Sequence, residues 1–502
     1  MQLVSLGPYS FPSGWDPAAA CTKLSEMFLA MAIHNQTLNL RFFLLIAALV
    51  SAGCGGEGDP ATAKQNPEPS GQVSRTAQLN LGSELHVMPG SDATQADGSE
   101  KHPFVSVYDA IAAIEGSDGW KGAIIMHPDQ HDLKEEVTLP ATANLRILAG
   151  TVLALGPDVA FHARRDVKVL GTQDAPVTFT WLESGQRWSS FTVFEPSSQE
   201  NVFEYAIFEH GYEVDFEGVG LRGALAIYRA GARISHCTFR DNEGDDGLTL
   251  KESDSLVEYS TFLNHASDAI DEGGSKSEIA FNRFENTGND ALDLGDGSQA
   301  YVHDNVILAS GDKGISIGET SSPRVERNLI VGCGIGIGNK DGSTPEIRNN
   351  TLYANDVGFS SGEAIAGLGS GKGVFTGGII WGSLTADLSL AEDSETVFSY
   401  SCIQSIADEE GNPLIQAGKG IISSGAGCDE PLFADPENED FHLRSAVGRW
   451  DPASSEWVKD ETTSPCIDAG DPAADVGEEE EPNGSRINLG CHGGTAEASQ
   501  SA

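Results

Sequence analysis

The chain has 502 residues, with 75 Asp plus Glu against 30 Lys plus Arg and a formal net charge of −45 at pH 7. That balance excludes bare nucleic acid as a partner, because such binding needs clustered Lys and Arg to displace phosphate counterions. It also repels acidic polysaccharides unless a divalent cation bridges the two surfaces. Residues 42–52 (FFLLIAALVSA) form an apolar run too short to span a bilayer, ending in small residues before Cys54. Residues 1–30 carry no such pattern, so the true start is expected at Met27 or Met31. From Gly55 to about Leu79 the chain is rich in Gly, Pro, Gln, Ser and Glu and cannot bury enough surface to fold.

Ser51-Ala52-Gly53-Cys54 resembles the cleavage and lipidation point of a bacterial lipoprotein signal, with a secretory signal cut nearby as the alternative. The resemblance implies an exported protein of the bacterial cell envelope, lipidated at Cys54 and anchored to a membrane by a flexible tether. The expected organisation is a signal region over 1–53, a tether over 54–80, a β-helix with its N-terminal cap over 81–384, and a C-terminal cap and tail over 385–502.

LHVMPG (85–90) reads as a first strand, and HPFVSVYDAIAAI (102–114) as a helix with Ser106 as its cap, covering the open end of the stack. From Ala123 short β-branched runs ended by Gly mark strands. Six stretches then repeat one pattern: ISHCTF, VEYSTF, IAFNRF, VHDNVI, VERNLI and IRNNTL. Their last residues, Phe239, Phe262, Phe284, Ile307, Ile330 and Leu352, are spaced 23, 22, 23, 23 and 22 apart. Such a period, with Gly-rich turns and no helical periodicity, predicts an all-β, right-handed parallel β-helix. Two residues before each core position stand Cys237, Ser260, Asn282, Asn305, Asn328 and Asn350. The four Asn are expected to stack, each amide bonding the next, at a corner whose left-handed conformation Asn tolerates. After Trp381 the repeat dissolves into longer loops. Cys402 with Cys428 and Cys466 with Cys491 are the expected disulfides, although spacing does not fix connectivity. Cys237 and Cys333 read as buried small hydrophobes.

A second column runs through GDDGLTL, SDAIDEG, NDALDLG and DKGISIG. Asp246, Asp268, Asp290 and Asp312 recur at intervals of 22, with Asp271 and Asp293 as a parallel pair three residues on. Carboxylates stacked roughly 4.8 Å apart repel unless solvated, protonated or bridged. Ca²⁺, a hard cation with oxygen ligands, would relieve that repulsion. The alternatives are Asx bonds to each residue's own turn, or catalytic carboxylates. His210, His236, His265 and His303 show no zinc spacing and read as surface or turn residues.

From about residue 84 to 493 the chain resembles the bacterial right-handed parallel β-helix repeat proteins of the pectin-lyase-like superfamily, through GSDATQADGSEKHPF, the coils, SPCIDAGDP and INLGCHGGT. That superfamily includes polysaccharide lyases, hydrolases and epimerases together with adhesins. The GDD at 244–246 is similar to one polygalacturonase carboxylate motif, but the accompanying Gly-His-Gly and Arg-Ile-Lys motifs are absent from the coils, which disfavours a hydrolase. The stretch ISIGETSSPRVERNLIVGCGIGIGNKDGSTPEIRNNT is similar to coils around the base of chondroitinase B-like alginate lyases. It implies Lys340 as base, with Lys313 and Arg324 as partners of substrate charge. The expected function is binding or processing of a polysaccharide, with cation-assisted uronate elimination as its catalytic form and a non-catalytic surface or adhesive scaffold as the alternative.

Overall fold

The computed structural model describes residues 81–195, 201–408, 410–415 and 419–501; the signal region, Cys54 and the tether to residue 80 lie outside them. Within the described residues the chain winds into a parallel β-helix whose faces are sheets of 13, 12 and 11 strands. One coil shows the plan. Leu256–Glu258 belongs to the first sheet, Thr261–Leu263 to the second and Asp268–Gly273 to the third. Each strand pairs in parallel with its counterpart one coil on, Leu256 beside Glu278 and Ile270 beside Leu292.

The core is the inward column of each sheet. Phe239, Phe262 and Phe284 are fully buried, and their rings stack face to face with centroids 4.8 Å apart at each step. Ile307, Ile330 and Leu352 continue the column. The Asn ladder is present as expected. Asn305 Oδ1 accepts from the backbone N–H of Asn282 at 2.9 Å, Asn328 Oδ1 from that of Asn305 at 3.1 Å, and Asn350 Oδ1 from that of Asn328 at 2.9 Å. The corner strain falls elsewhere than the sequence suggests. The residue before each Asn, such as Phe281, Asp304 or Arg327, takes the left-handed conformation (φ 56°, 54° and 53°). Each Asn amide thus stays free to bond along the axis and to hold that strained corner.

The helix Val107–Glu115 is capped as expected, with Ser106 and Asp109 forming a reciprocal capping box. Its buried face, Val107, Ala110 and Ile114, joins the first end of the core. At the other end the sheets continue beyond residue 384, through strands Ala386–Leu390, Val397–Ser399 and Cys402–Ile403. Of the segment that follows, Ile406, Leu414, Ile415 and Ile421 pack against this core, whereas the part beyond them leaves it. Phe433, Phe441 and Leu443 pack against Leu329, Ile379, Tyr353 and Trp381 on the second sheet, next to residues whose sequence neighbours Ile330 and Ile380 point inward. Strand alternation therefore places this segment on the outer face of that sheet.

None of the six described cysteines stands at disulfide distance from another, although Cys402 and Cys428 meet as the first expected pairing requires. Cys402 Sγ meets Cys428 Sγ at 2.6 Å, and Cys428 Sγ lies 3.9 Å from Cys466 Sγ. All three are buried in one cluster, whereas Cys491 is anchored at Thr351, whose Oγ1 accepts its N–H at 3.0 Å. The expected Cys466–Cys491 pairing gives way because the tail docks on the second sheet and Cys466 turns into the trio. Oxidation should link two cysteines of the trio and leave Cys491 a free thiol. Mapping of non-reduced peptides after thiol alkylation checks this, and a Cys466–Cys491 peptide contradicts it.

Candidate functional site

The third sheet presents two registered rows of polar residues. On its strands Leu248, Ile270, Leu292 and Ile315 align and point into the core, fully buried. The next position along each strand, Thr249, Asp271, Asp293 and Ser316, must therefore face outward, and these residues align in turn. The second row lies at the strand starts. Asp246 pairs with Asp268, and Asp290 follows in the next coil.

The fourth place of that row belongs to Lys313 and not to Asp312. Ile315 pairs with Leu292, so the residue two before it, Lys313, stands opposite Asp290. Its backbone N–H donates to Asp290 Oδ1 at 2.8 Å, and its Nζ lies 3.5 Å from the same oxygen. The coil is one residue longer here, which displaces Asp312 from the row into an ion pair with Lys313. A glycine makes room for the lysine stem: a Cβ on Gly338 would sit 2.8 Å from Lys313 Cδ.

In the strand-start row Asp268 and Asp290 bond along the axis, whereas Asp246 bonds a threonine of its own strand. Asp268 Oδ1 accepts from the Asp290 N–H at 2.8 Å and from Asn289 Nδ2 at 2.7 Å. Asp246 Oδ2 accepts from Thr249 Oγ1 at 2.6 Å. Among the described residues no protein donor bonds the carboxyl of Asp271 or Asp293. Both residues are half-buried, and neither is among the buried groups left without a partner.

The electrostatics follow from crowding five carboxyls, opposed by Lys313 beside Asp290 and by Lys251 near Asp271. Burial, followed by the neighbouring Asp293 and Asp268, pushes Asp271 up to about 8. Burial and the charge of Asp290 raise Asp268 to about 7, although the donated N–H opposes them. Asp246 lies well above the usual carboxylate range through burial and Asp271, and Asp290 is raised by burial against the pull of Lys313. Burial pushes the Lys313 ammonium down, but Asp312 and Asp290 outweigh it and hold it above its ordinary value.

The oxygens of these carboxyls are not gathered as tightly as the three sulfurs of the cysteine trio, whose ligand atoms all lie within 4.8 Å. Among the described residues the carboxyls of the rows do not form a closed set of ligand atoms, so a cation held there would need further oxygens.

The other expected residues lie apart from these rows. Lys340 is on the same sheet, five residues beyond Ile335, the strand partner of Lys313, hence about 16 Å along the strand direction. Its stem packs over Gly318. Arg324 belongs to the first sheet, paired with Glu326 and lying over the Tyr301 ring, on a different face. His265 and His303, read from sequence as surface or turn residues, are buried. His303 bridges Asp304 and Glu278, and His265 sits neutral against Phe262, its pKa lowered to about 4 by burial.

A pH dependence follows. Asp268, Asp271, the inward-facing Glu272 (about 7) and Glu479 (about 7) all carry folded values above their unfolded ones. Each stabilises the fold fully at acid pH and less as pH rises toward its folded value, because the unfolded chain then holds fewer protons. The buried histidines His162, His265 and His492 act in the opposite sense, but below about pH 6.5. Tm should therefore fall between pH 6.5 and 8, and millimolar Ca²⁺ should restore more of it at pH 8 than at pH 6.5. Scanning calorimetry at both values, with Ca²⁺ and with EDTA, checks this.

Residues 222–374 match the family model described as a right handed beta helix region, and residues 419–470 the model described as disaggregatase related. No curated protein matches the chain in sequence. Among solved structures, a pectate lyase is similar at 14% identity with a TM-score of 0.39, covering 82% of this chain and 96% of its own. A rhamnogalacturonan lyase is similar at 10% identity with a TM-score of 0.41, covering 76% and 97%. The A-module of a mannuronan C-5 epimerase from Azotobacter vinelandii is similar at 13% identity with a TM-score of 0.33, covering 63% and 92%.

Proposed function

We propose that the outer face of the third sheet binds an acidic polysaccharide through a divalent cation and cleaves it by β-elimination, with Lys313 as base. The observation that carries this reading is the pair of registered carboxylate rows closed by a lysine, with Asp271 and Asp293 left without protein donors. Asp271, Asp293 and Asp246 would hold the cation, with Asp268 and Asp290 completing the row. When bound, the cation neutralises the uronate carboxylate and so acidifies the proton beside it.

The chain's own residues account for the rest. Asp312 and Asp290 beside it hold the Lys313 ammonium above its ordinary value, which leaves it idle as a base. A cation that offsets their negative charge brings the lysine down toward the range of a working base. Neutral Nζ then takes the proton from C5. The electrons of that C–H bond form the C4–C5 double bond, the C4–O bond breaks, and the leaving oxygen acquires a proton. The test is a panel of uronate polymers assayed for unsaturated product, with Ca²⁺ and with EDTA. Cation-dependent product supports the reading, and no product from any polymer contradicts it.

The axial bonds of Asp268 and Asp290 favour a second reading, in which the strand-start row is scaffold for a non-catalytic surface or adhesive protein. That reading predicts that Asp271→Asn and Asp293→Asn leave ligand retention unchanged. Export, lipidation at Cys54 and anchoring by the tether are part of the same proposal. Palmitate labelling of the full-length chain, lost in Cys54→Ser, tests them.

A further inference from the structure

A second site lies far from the carboxylate rows in sequence. His442 is on the strand Asp440–Leu443 and almost fully buried. Its Nδ1 bonds Asp440 Oδ1 at 2.7 Å, and Asp440 also takes Arg449 Nη1 at 3.0 Å. A carboxylate that accepts from Nδ1–H fixes the tautomer and leaves a lone pair on Nε2. That Nε2 is buried and has no hydrogen-bond partner. An imidazole nitrogen desolvated without a partner is costly, so it calls for an acceptor of its lone pair.

Two further donors face it. Glu497 Oε2 lies 3.5 Å from Nε2, and the His492 ring stacks on His442 with centroids 3.7 Å apart. One ligand atom from each of His442, His492 and Glu497 lies within 4.8 Å of the others. Two imidazoles and one carboxylate, with a second carboxylate behind the buried imidazole, form a donor set suited to a divalent transition metal. We propose that His442, His492 and Glu497 bind such an ion, with Zn²⁺ as the probe, and that the ion clasps the last segment of the chain to the 440–443 strand.

The same junction is already stitched by polar contacts: Ser499 Oγ donates to Leu443 O at 2.5 Å and Ser445 Oγ to Gln500 O at 2.6 Å. The ion would add a cross-link between strand and tail.

The test uses the chain stripped of metal and titrated with Zn²⁺ against a chromophoric chelator, then with Co²⁺ for its spectrum. One equivalent is expected per chain, with visible cobalt bands but no thiolate charge-transfer band; such a band would place the ion at the cysteine trio and overturn the proposal. His492→Phe keeps the ring stack while removing the ligand, and Glu497→Gln is on the surface, so neither should unfold the chain; each should abolish the stoichiometric site. Asp440→Asn should weaken it by about 10–100-fold. Zn²⁺ binding unchanged in His492→Phe and Glu497→Gln, or no binding by the wild type, contradicts the proposal.

Discussion

Lys313→Ala is expected to lower uronate elimination by about 10²–10⁴-fold, the range that a positioned base supplies, with little change in Ca²⁺ affinity. The lysine stands in the carboxylate row itself, opposite Asp290, and its stem lies in the space left by Gly338. Removing it leaves the cation ligands in place but takes away the group that accepts the proton. Gly338→Ala should reproduce part of the loss, since a Cβ there would displace the stem. Lys340→Ala should retain most of the rate, because its backbone lies at the far end of its strand from the Asp row. Initial rates of unsaturated product for the three variants check this; loss in Lys340→Ala with an active Lys313→Ala would return the base to Lys340.

The largest stability effect is expected at the stacked phenylalanines. Phe262→Ala should cost about 3–5 kcal/mol, as for other buried aromatic truncations. The ring is fully buried and sandwiched between Phe239 and Phe284, each 4.8 Å away, and packs against His265. Backbone ladders fix the coil spacing, so neighbouring coils cannot collapse into the space. In a solenoid each coil is stabilised chiefly by the coils next to it. The cavity should therefore weaken the junction locally and split unfolding into two transitions. Urea unfolding followed by circular dichroism checks this, and a single transition with an unchanged midpoint contradicts it.

Much of the fold was legible because one physical constraint repeats: each coil must return a side chain to the same core column, which sets the interval between Phe239 and Leu352. The Asn corner was legible for the same reason, although the left-handed residue proved to be its predecessor. The site was legible only to the extent that it repeats. Asp246, Asp268, Asp290 and the Asp271–Asp293 pair were found by period. The constant interval of 22 then selected Asp312, where one extra residue in the coil puts Lys313. Lys340 and Arg324 were grouped with Lys313 by sequence proximity and resemblance, but Lys340 lies at the far end of its strand and Arg324 on a different sheet.

Past residue 403 no period constrains the chain, and contacts there are set by docking on the second sheet. That explains why Cys466 joined Cys402 and Cys428 in one cluster instead of meeting Cys491. It also explains why His442, His492 and Glu497, separated by up to 55 residues (442 to 497), gave no spacing signal. Their one sequence cue was a histidine directly after a cysteine in the closing INLGCHGGT.

The central claim is that Asp271 and Asp293 are cation ligands and not surface carboxylates. Calorimetric titration with Ca²⁺ at pH 8 tests it most directly, on the wild type and on Asp271→Asn/Asp293→Asn. These positions make no hydrogen bond that the amide would break, so the double variant should fold with an unchanged or higher Tm in EDTA. Stoichiometric binding by the wild type that disappears in the double variant is the predicted result. Equal binding by both chains, or none by the wild type, would contradict it.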